Sequence, residues 1–181
     1  MEIVFFARGG QGAKTAAEIL AQGAVQEGKF VQAFPSFGPE RSGAPTQTFL
    51  RVSSQEIRTH EPILNPDVMV VLDDTLLETE NIIQDLKEGT ILIINSVKKS
   101  EELSEQLNFS GKIYAVDASG ISLQIIGQPR PNTVILGKIV QITKVAKLES
   151  IQKEFQEIFE KKIGKIACDK NIEAINRAYE V

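Results

Sequence analysis

The sequence predicts an α/β fold: an open, mostly parallel sheet with helices on both faces. Three observations lead there. Apolar runs recur at Ile3–Ala7, Val68–Leu72 and Ile91–Ile94, with a weaker one at Ile113–Val116. Runs without polar alternation suit parallel strands covered on both faces. Between them lie patterns of helical period, and such strand–helix alternation is the signature of an open α/β sheet. At 181 residues the chain has the length of one domain and can bury a good core. The expectation is a single α/β domain over residues 1–181, with C-terminal helices from about 149 to 181 packed on it.

The elements follow in order. After the opening strand "EIVFFA", residues Ala16, Ile19, Leu20, Gly23 and Ala24 recur at helical spacing. A second strand is expected near Phe30–Phe34, directly after this crossover helix and beside the first strand. "TQTFLRVS" at 46–53 alternates only in part and predicts an edge or antiparallel strand. "TLLETENIIQDL" begins with Thr75 and Glu78 at capping-box spacing and predicts a helix. Ser100–Leu107 predicts a further short helix. "PNTVILGKIVQIT" at 131–143 suits a buried helix or a strand; its length and Pro-Asn-Thr start favour the helix. Within it, Thr133 and Gly137 allow either close packing or a subunit contact. Ile151, Phe155, Ile158, Phe159 and Ile163 form an amphipathic face, most simply packed on the chain's own sheet. From Gly164 the tail reads as a short connection and a terminal helix, "NIEAINRAYEV". No internal repeat or low-complexity segment interrupts the pattern.

Composition narrows the function. Lys and Arg total 20, Asp and Glu 24, for a net charge of −4. The acidity sits in the middle, where residues 53–143 carry seven basic and thirteen acidic groups. No basic tract suggests nucleic acid. No apolar stretch approaches the length needed to span a membrane. The chain starts in a strand-like run without a basic leader, so a reducing cytoplasm is the default expectation. The single cysteine, Cys168, excludes an internal disulfide and a Cys-ligated metal or iron–sulfur site. It reads as a small buried or half-buried residue. The single histidine, His60, has no local partner pattern and reads as structural.

The first strand ends in "ARGGQGAKT", with Gly9, Gly10 and Gly12 between strand and helix and Arg8 and Lys14 flanking them. Glycine allows positive φ and close backbone approach, and a helix N-terminus offers free N–H groups to an anion. A phosphate-binding Walker A loop needs Gly-Lys-Thr adjacent, and Ala13 intervenes. A dinucleotide fingerprint needs a third glycine where Thr15 stands, and an acidic residue about twenty positions on, where Phe34, Pro35 and Ser36 stand. A tight βα turn without a ligand stays open beside the anion-binding reading.

"FPSFGPERSGAP", from Phe34 to Pro45, holds three prolines, two glycines, two phenylalanines and an adjacent Glu40–Arg41 pair. Prolines 35, 39 and 45 stiffen the loop and lower its ordering cost. Ligands of open α/β sheets sit outside the carboxyl ends of the strands, so this loop and the glycine turn are expected to converge on one edge. A functional loop is favoured over one whose aromatics simply fold back on the core. Asp73, Asp74, Asn95 and Asp117 fall at strand ends on that edge, where capping and turn formation are favoured over metal or substrate contact.

"RGGQGAKTA", "AFPSFGPERSGAP", "IRTHEPILNPDVMVVLDDTLL" and "PNTVILG" together resemble the γ subunit of 2-oxoacid:ferredoxin oxidoreductases, most of all the pyruvate-specific members (pyruvate synthases). The likeness runs from Glu2 to about Tyr179. Relatives that use 2-oxoglutarate tend to carry "GPEARGG" where this chain has "GPERSGAP". The resemblance implies a Rossmann-like domain in a hetero-oligomer of anaerobic metabolism that makes acetyl-CoA, CO2 and reduced ferredoxin from pyruvate and coenzyme A. The partners implied are α, β and δ subunits and ferredoxin, with a homodimer possible for the isolated chain. Thiamine pyrophosphate, magnesium and iron–sulfur clusters would lie in partner subunits, and no catalytic residue or metal ligand in this chain. By analogy Gly9, Gly10, Gln11 and Gly12 would meet coenzyme A or a subunit contact. Phe37, Gly38, Pro39, Glu40, Arg41, Ser42 and Gly43 would face the partners near the active site. The alternatives are a stand-alone nucleotide-binding α/β protein and a purely structural subunit.

Overall fold

A computed structural model describes residues 1–36, 43–79, 82–84 and 86–181. Strands β1 (Glu2–Arg8), β2 (Phe30–Pro35), β3 (Pro45–Ser53), β4 (Val68–Val71), β5 (Ile91–Asn95) and β6 (Ile113–Val116) form one sheet in the order β2-β3-β1-β4-β5-β6. Strands β1, β4, β5 and β6 pair in parallel, and β3 runs antiparallel to both β1 and β2. The predicted α/β class, open and mostly parallel with helices on both faces, is observed. The four apolar runs all become parallel strands, because each is covered above and below.

Alternate residues serve the two faces. Ile3, Phe5, Val70 and Ile93 point into a core closed by α1 (Ala13–Gln26), α4 (Ala118–Ile126), α5 (Pro131–Thr143), α6 (Leu148–Ile163) and α7 (Lys165–Glu180). Phe6, Val71, Leu92 and Ile94 face a second core with Leu76 of α2 (Leu76–Thr79) and Leu103 of α3 (Ser100–Leu107). Fully burying one such side chain is worth about 1.5–3 kcal/mol.

Two expectations about strand placement are corrected. The second strand does not lie beside the first, because β3 inserts between them. Nor is "TQTFLRVS" an edge: β3 is antiparallel but internal, with Thr48 to Val52 buried in unbroken succession. Strand β2, with a half-exposed pattern and Pro35 at its end, is the edge. Arg51 gave β3 its look of alternation. It is 7% exposed, and its Nε donates to Glu2 Oε1 at 2.7 Å and its Nη1 to Gln32 Oε1 at 3.0 Å.

The helices also depart from expectation in places. The helix after β4 covers only Leu76–Thr79 among the described residues, and Ile82 to Gln84 form a turn. Helix α4, capped by Asp117 through a 2.7 Å bond from the Gly120 N–H, was not anticipated. The tail has no extended connection: α7 begins at Lys165, directly after Gly164, whose φ of 81° makes the turn. Segment 131–143 is the favoured helix. Its Gly137 lies against α7 so closely that a Cβ there would stand 2.0 Å from the Ile175 carbonyl oxygen, so this glycine serves close packing.

Candidate functional site

Strand β1 connects outward through α1 to one side of the sheet, and β4 begins the other side. The switch point is therefore the crevice beyond the carboxyl ends of β1 and β4, the place where open α/β sheets bind ligands. The turn after β1 lies there. Gly10 and Gly12 have φ of 93° and 79°, conformations that cost an L side chain about 1–2 kcal/mol. Gly12 is the N-cap of α1, with no side chain over the first helical N–H groups. A Cβ on it would fall 2.5 Å from Nδ2 of Asn132, at the start of α5.

Side chains lock the turn in place. Gln11 accepts from the Arg8 N–H at 2.7 Å and donates through Nε2 to Asp73 Oδ2 at 2.7 Å. The Arg8 guanidinium reaches the same carboxylate oxygen at 3.2 Å and Thr75 Oγ1 at 2.8 Å. Burial pushes the Asp73 carboxyl up, but hydrogen bonds from Thr75 and Gln11 and the Arg8 charge outweigh it. The carboxyl is held below its ordinary 3.8 and is a carboxylate at neutral pH. Asn95, at the end of β5, donates to the Leu72 carbonyl and to Ser119 Oγ, both at 2.9 Å. Ser96 donates to Asp74 at 2.6 Å. The strand-end Asp and Asn residues thus knit the edge together, as capping and turn chemistry favours.

The glycine turn and the loop after β2 meet. The Gly9 N–H donates to the Ala44 carbonyl at 2.8 Å, and the Gly43 N–H to the Gly9 carbonyl at 3.1 Å. Arg8 Nη1 adds a 3.3 Å bond to the Gly43 carbonyl. Of the predicted loop residues, Gly43 is therefore placed against the turn; Phe37, Gly38, Pro39, Glu40, Arg41 and Ser42 lie outside the described residues. The meeting comes about by another route than the one expected: β3, not β2, returns the loop to β1.

A cleft of about 980 Å³ opens at this edge. Gly10, Gln11 and Gly12 line it with Asp73, Asp74 and Asn95; Gly9 is engaged instead with the hairpin. Its other wall was missed by sequence reasoning. Thr15 and Thr133, each the third residue of its helix, face it together with Asn132, so that the uncapped N-termini of α1 and α5 share one space. Thr133 is 5% exposed and lines this wall. The far end is apolar, formed by Ile126, Ile163 and the stacked rings of Phe155 and Phe159, 4.8 Å apart. The "PNT" start signal was the one available pointer to this wall.

His60 lies elsewhere, exposed and 2.6 Å from Gln32 Nε2. Cys168 is buried in α7, and burial pushes its thiol up. Among the described residues no group of three or more His, Cys, Asp or Glu could hold a metal ion, and no helix is long and apolar enough to cross a membrane. The cleft wall carries neither histidine nor cysteine. An open α/β sheet with a glycine turn and a cleft at its switch point has the architecture of the ligand-binding α/β domains.

The family model for pyruvate ferredoxin/flavodoxin oxidoreductase matches residues 2–181. A pyruvate/ketoisovalerate oxidoreductases common subunit gamma from Thermococcus kodakarensis is 48% identical, covering 99% of this chain and 95% of its own. The pyruvate synthase subunit PorC of Thermotoga maritima is 44% identical, covering 99% and 93%. The crystal structure of a pyruvate oxidoreductase subunit PORC from the same organism superposes with a TM-score of 0.87 at 42% identity, covering 99% of this chain and 95% of that one. The chain belongs to the pyruvate ferredoxin/flavodoxin oxidoreductase family. The resemblance to its γ subunits, read from the motifs, is thereby shown.

Proposed function

We propose that the chain is the γ subunit of a cytoplasmic pyruvate:ferredoxin oxidoreductase, covering the active-site region formed by α and β subunits and helping to seat coenzyme A. One observation carries this reading: Gly10–Gly12, the ends of β4 and β5 and the N-termini of α1 and α5 converge on one cleft, with Gly43 bonded to its rim. Uncapped helix N-termini suit phosphate oxygens, and Thr133 brings a hydroxyl to the same wall. Arg8 offsets the Asp73 charge on the same wall. The apolar end suits an aliphatic or aromatic arm. Coenzyme A combines both chemistries. Thiamine pyrophosphate, magnesium and the iron–sulfur clusters belong, in this reading, to the α, β and δ subunits. This chain holds and orients, contributes no reacting atom, and is inactive by itself. The Thermococcus relative is by name common to pyruvate and ketoisovalerate enzymes, so both substrates belong in the assay.

The test is purification of the native chain, followed by coenzyme A titration of the assembled enzyme. Copurification with large partners is expected. Thr133→Val, which removes the hydroxyl at nearly constant volume, and Gly10→Ala are each expected to weaken apparent coenzyme A affinity about ten-fold, the worth of one hydrogen bond or one strained φ. Unchanged affinity in both variants means a purely structural subunit. A free monomer without partners means a stand-alone protein.

A further inference from the structure

Among the described residues, the Arg8 side chain joins the glycine turn, the end of β4 and the β2–β3 connection. Its Nε bonds Asp73, its Nη2 bonds Thr75, and its Nη1 bonds the Gly43 carbonyl. Those partners lie 65, 67 and 35 residues away in sequence. Its own N–H is held by Gln11, which bonds the same Asp73 oxygen. Gln11 and Asp73 line the cleft; Gly43 belongs to the hairpin connection beside it. The Arg8 side chain is 31% exposed and that of Asp73 17%. With Arg8 this open to water, solvent screening discounts what the ion pair adds to stability. Yet the arrangement uses a planar, multidentate guanidinium, which fixes directions that a lysine point charge does not. A costly ordering with little return in stability points to geometry as its purpose.

We propose that Arg8 is a positioning residue: braced by Asp73, it fixes the foot of the β2–β3 connection at Gly43–Ala44 against the cleft, and so sets how this edge is presented to the reacting subunits. The proposal rests on the reading that this edge meets the active-site region of an assembled oxidoreductase.

Two measurements test it. In the isolated chain, Arg8→Gln and Arg8→Lys are expected to leave the melting temperature nearly unchanged. They should lower hydrogen-exchange protection of the Gly9 and Gly43 amides about ten-fold, with Val70 and Ile93 unaffected, as for a local opening. In the assembled enzyme both variants should lower kcat about ten-fold while assembly persists, since small misplacements at a reacting edge have effects of this order or larger. Asp73→Asn should do the same, and the double variant Arg8→Gln/Asp73→Asn should be no worse than either single one. Unchanged protection of Gly9 and Gly43 overturns the brace itself. Unchanged kcat, additive losses, or a folded variant that no longer assembles overturn its role in turnover. If the unaltered chain never assembles, the exchange result still stands or falls by itself, and it is the oxidoreductase reading that has failed.

Discussion

Gly137 and Gly23 are both interior helical glycines, and their surroundings assign them opposite sensitivities. In an open helix interior, Gly→Ala gains about 1 kcal/mol of propensity. At Gly137 a Cβ would meet backbone, the Ile175 carbonyl at 2.0 Å and the Tyr179 N–H at 2.9 Å. Two helices would have to separate. At Gly23 the nearest atom is the terminal Cδ1 of Ile151, at 2.6 Å, which can rotate aside. Gly137→Ala is therefore expected to destabilise by about 2 kcal/mol or more, and Gly23→Ala to stay within about 1 kcal/mol of neutral, measured by urea denaturation. Equal effects would mean that the α5–α7 contact is looser than drawn. Neither environment is legible in the sequence: both glycines sit in similar apolar, helical patterns.

Among the elements, the starts of β1 and β4 are tied through Asp67. Its carboxylate accepts from the Glu2 N–H and from Lys87 Nζ, both at 2.7 Å. Burial pushes this carboxyl up; the Lys87 hydrogen bond, the Glu2 N–H and the Lys87 charge outweigh it, so it lies below its ordinary 3.8. A carboxyl with a lowered folded-state pKa stabilises the fold in full above its unfolded pKa, and that contribution disappears as pH falls through the folded value. Stability should thus be flat above about pH 5 and decline below about pH 4. Asp67→Asn should shrink that acid-side slope in urea titrations at successive pH values; an undiminished slope would assign the acid sensitivity to Asp73 and Glu27, which are lowered as well. The element pattern was largely readable. Apolar runs of four or five residues mark strands covered on both faces, and β2 and β3 are legible as strands. Their order was not, because Arg51 reads as polar and only its partners Glu2 and Gln32, on the two neighbouring strands, make it an interior residue.

Across the whole molecule, α7 packs on α4, α5 and α6 at once. Cys168, Ala174, Ile175 and Ala178 are fully buried there, in the same core as Ile3, Phe5 and Leu20. A chain cut after Gly164 would bare that face and the seat of Gly137. It is expected to lose cooperative unfolding altogether, seen by circular dichroism and calorimetry, as the loss of several buried side chains at about 1.5–3 kcal/mol each exceeds the usual margin of stability. A truncated chain that still melts cooperatively near the original temperature would show a core that closes without α7. The same integration builds the cleft, whose walls come from Gly12, Asp73, Asn95, Thr133, Phe155 and Asn171, residues spread over most of the chain.

What the sequence determined by itself was the kind and succession of the elements, the glycine turn and the family motifs. Periodicity and turn chemistry are local, and each run of residues reports how many of its own faces are covered. Only the tertiary structure decided that β3 takes the interior place, that Gly9 makes backbone hydrogen bonds to Ala44 and Gly43, and that α5 and α6 bring Thr133 and Phe155 to the cleft. Those outcomes depend on which strands compete best for burial and on contacts between residues tens to more than a hundred positions apart, which no local pattern encodes.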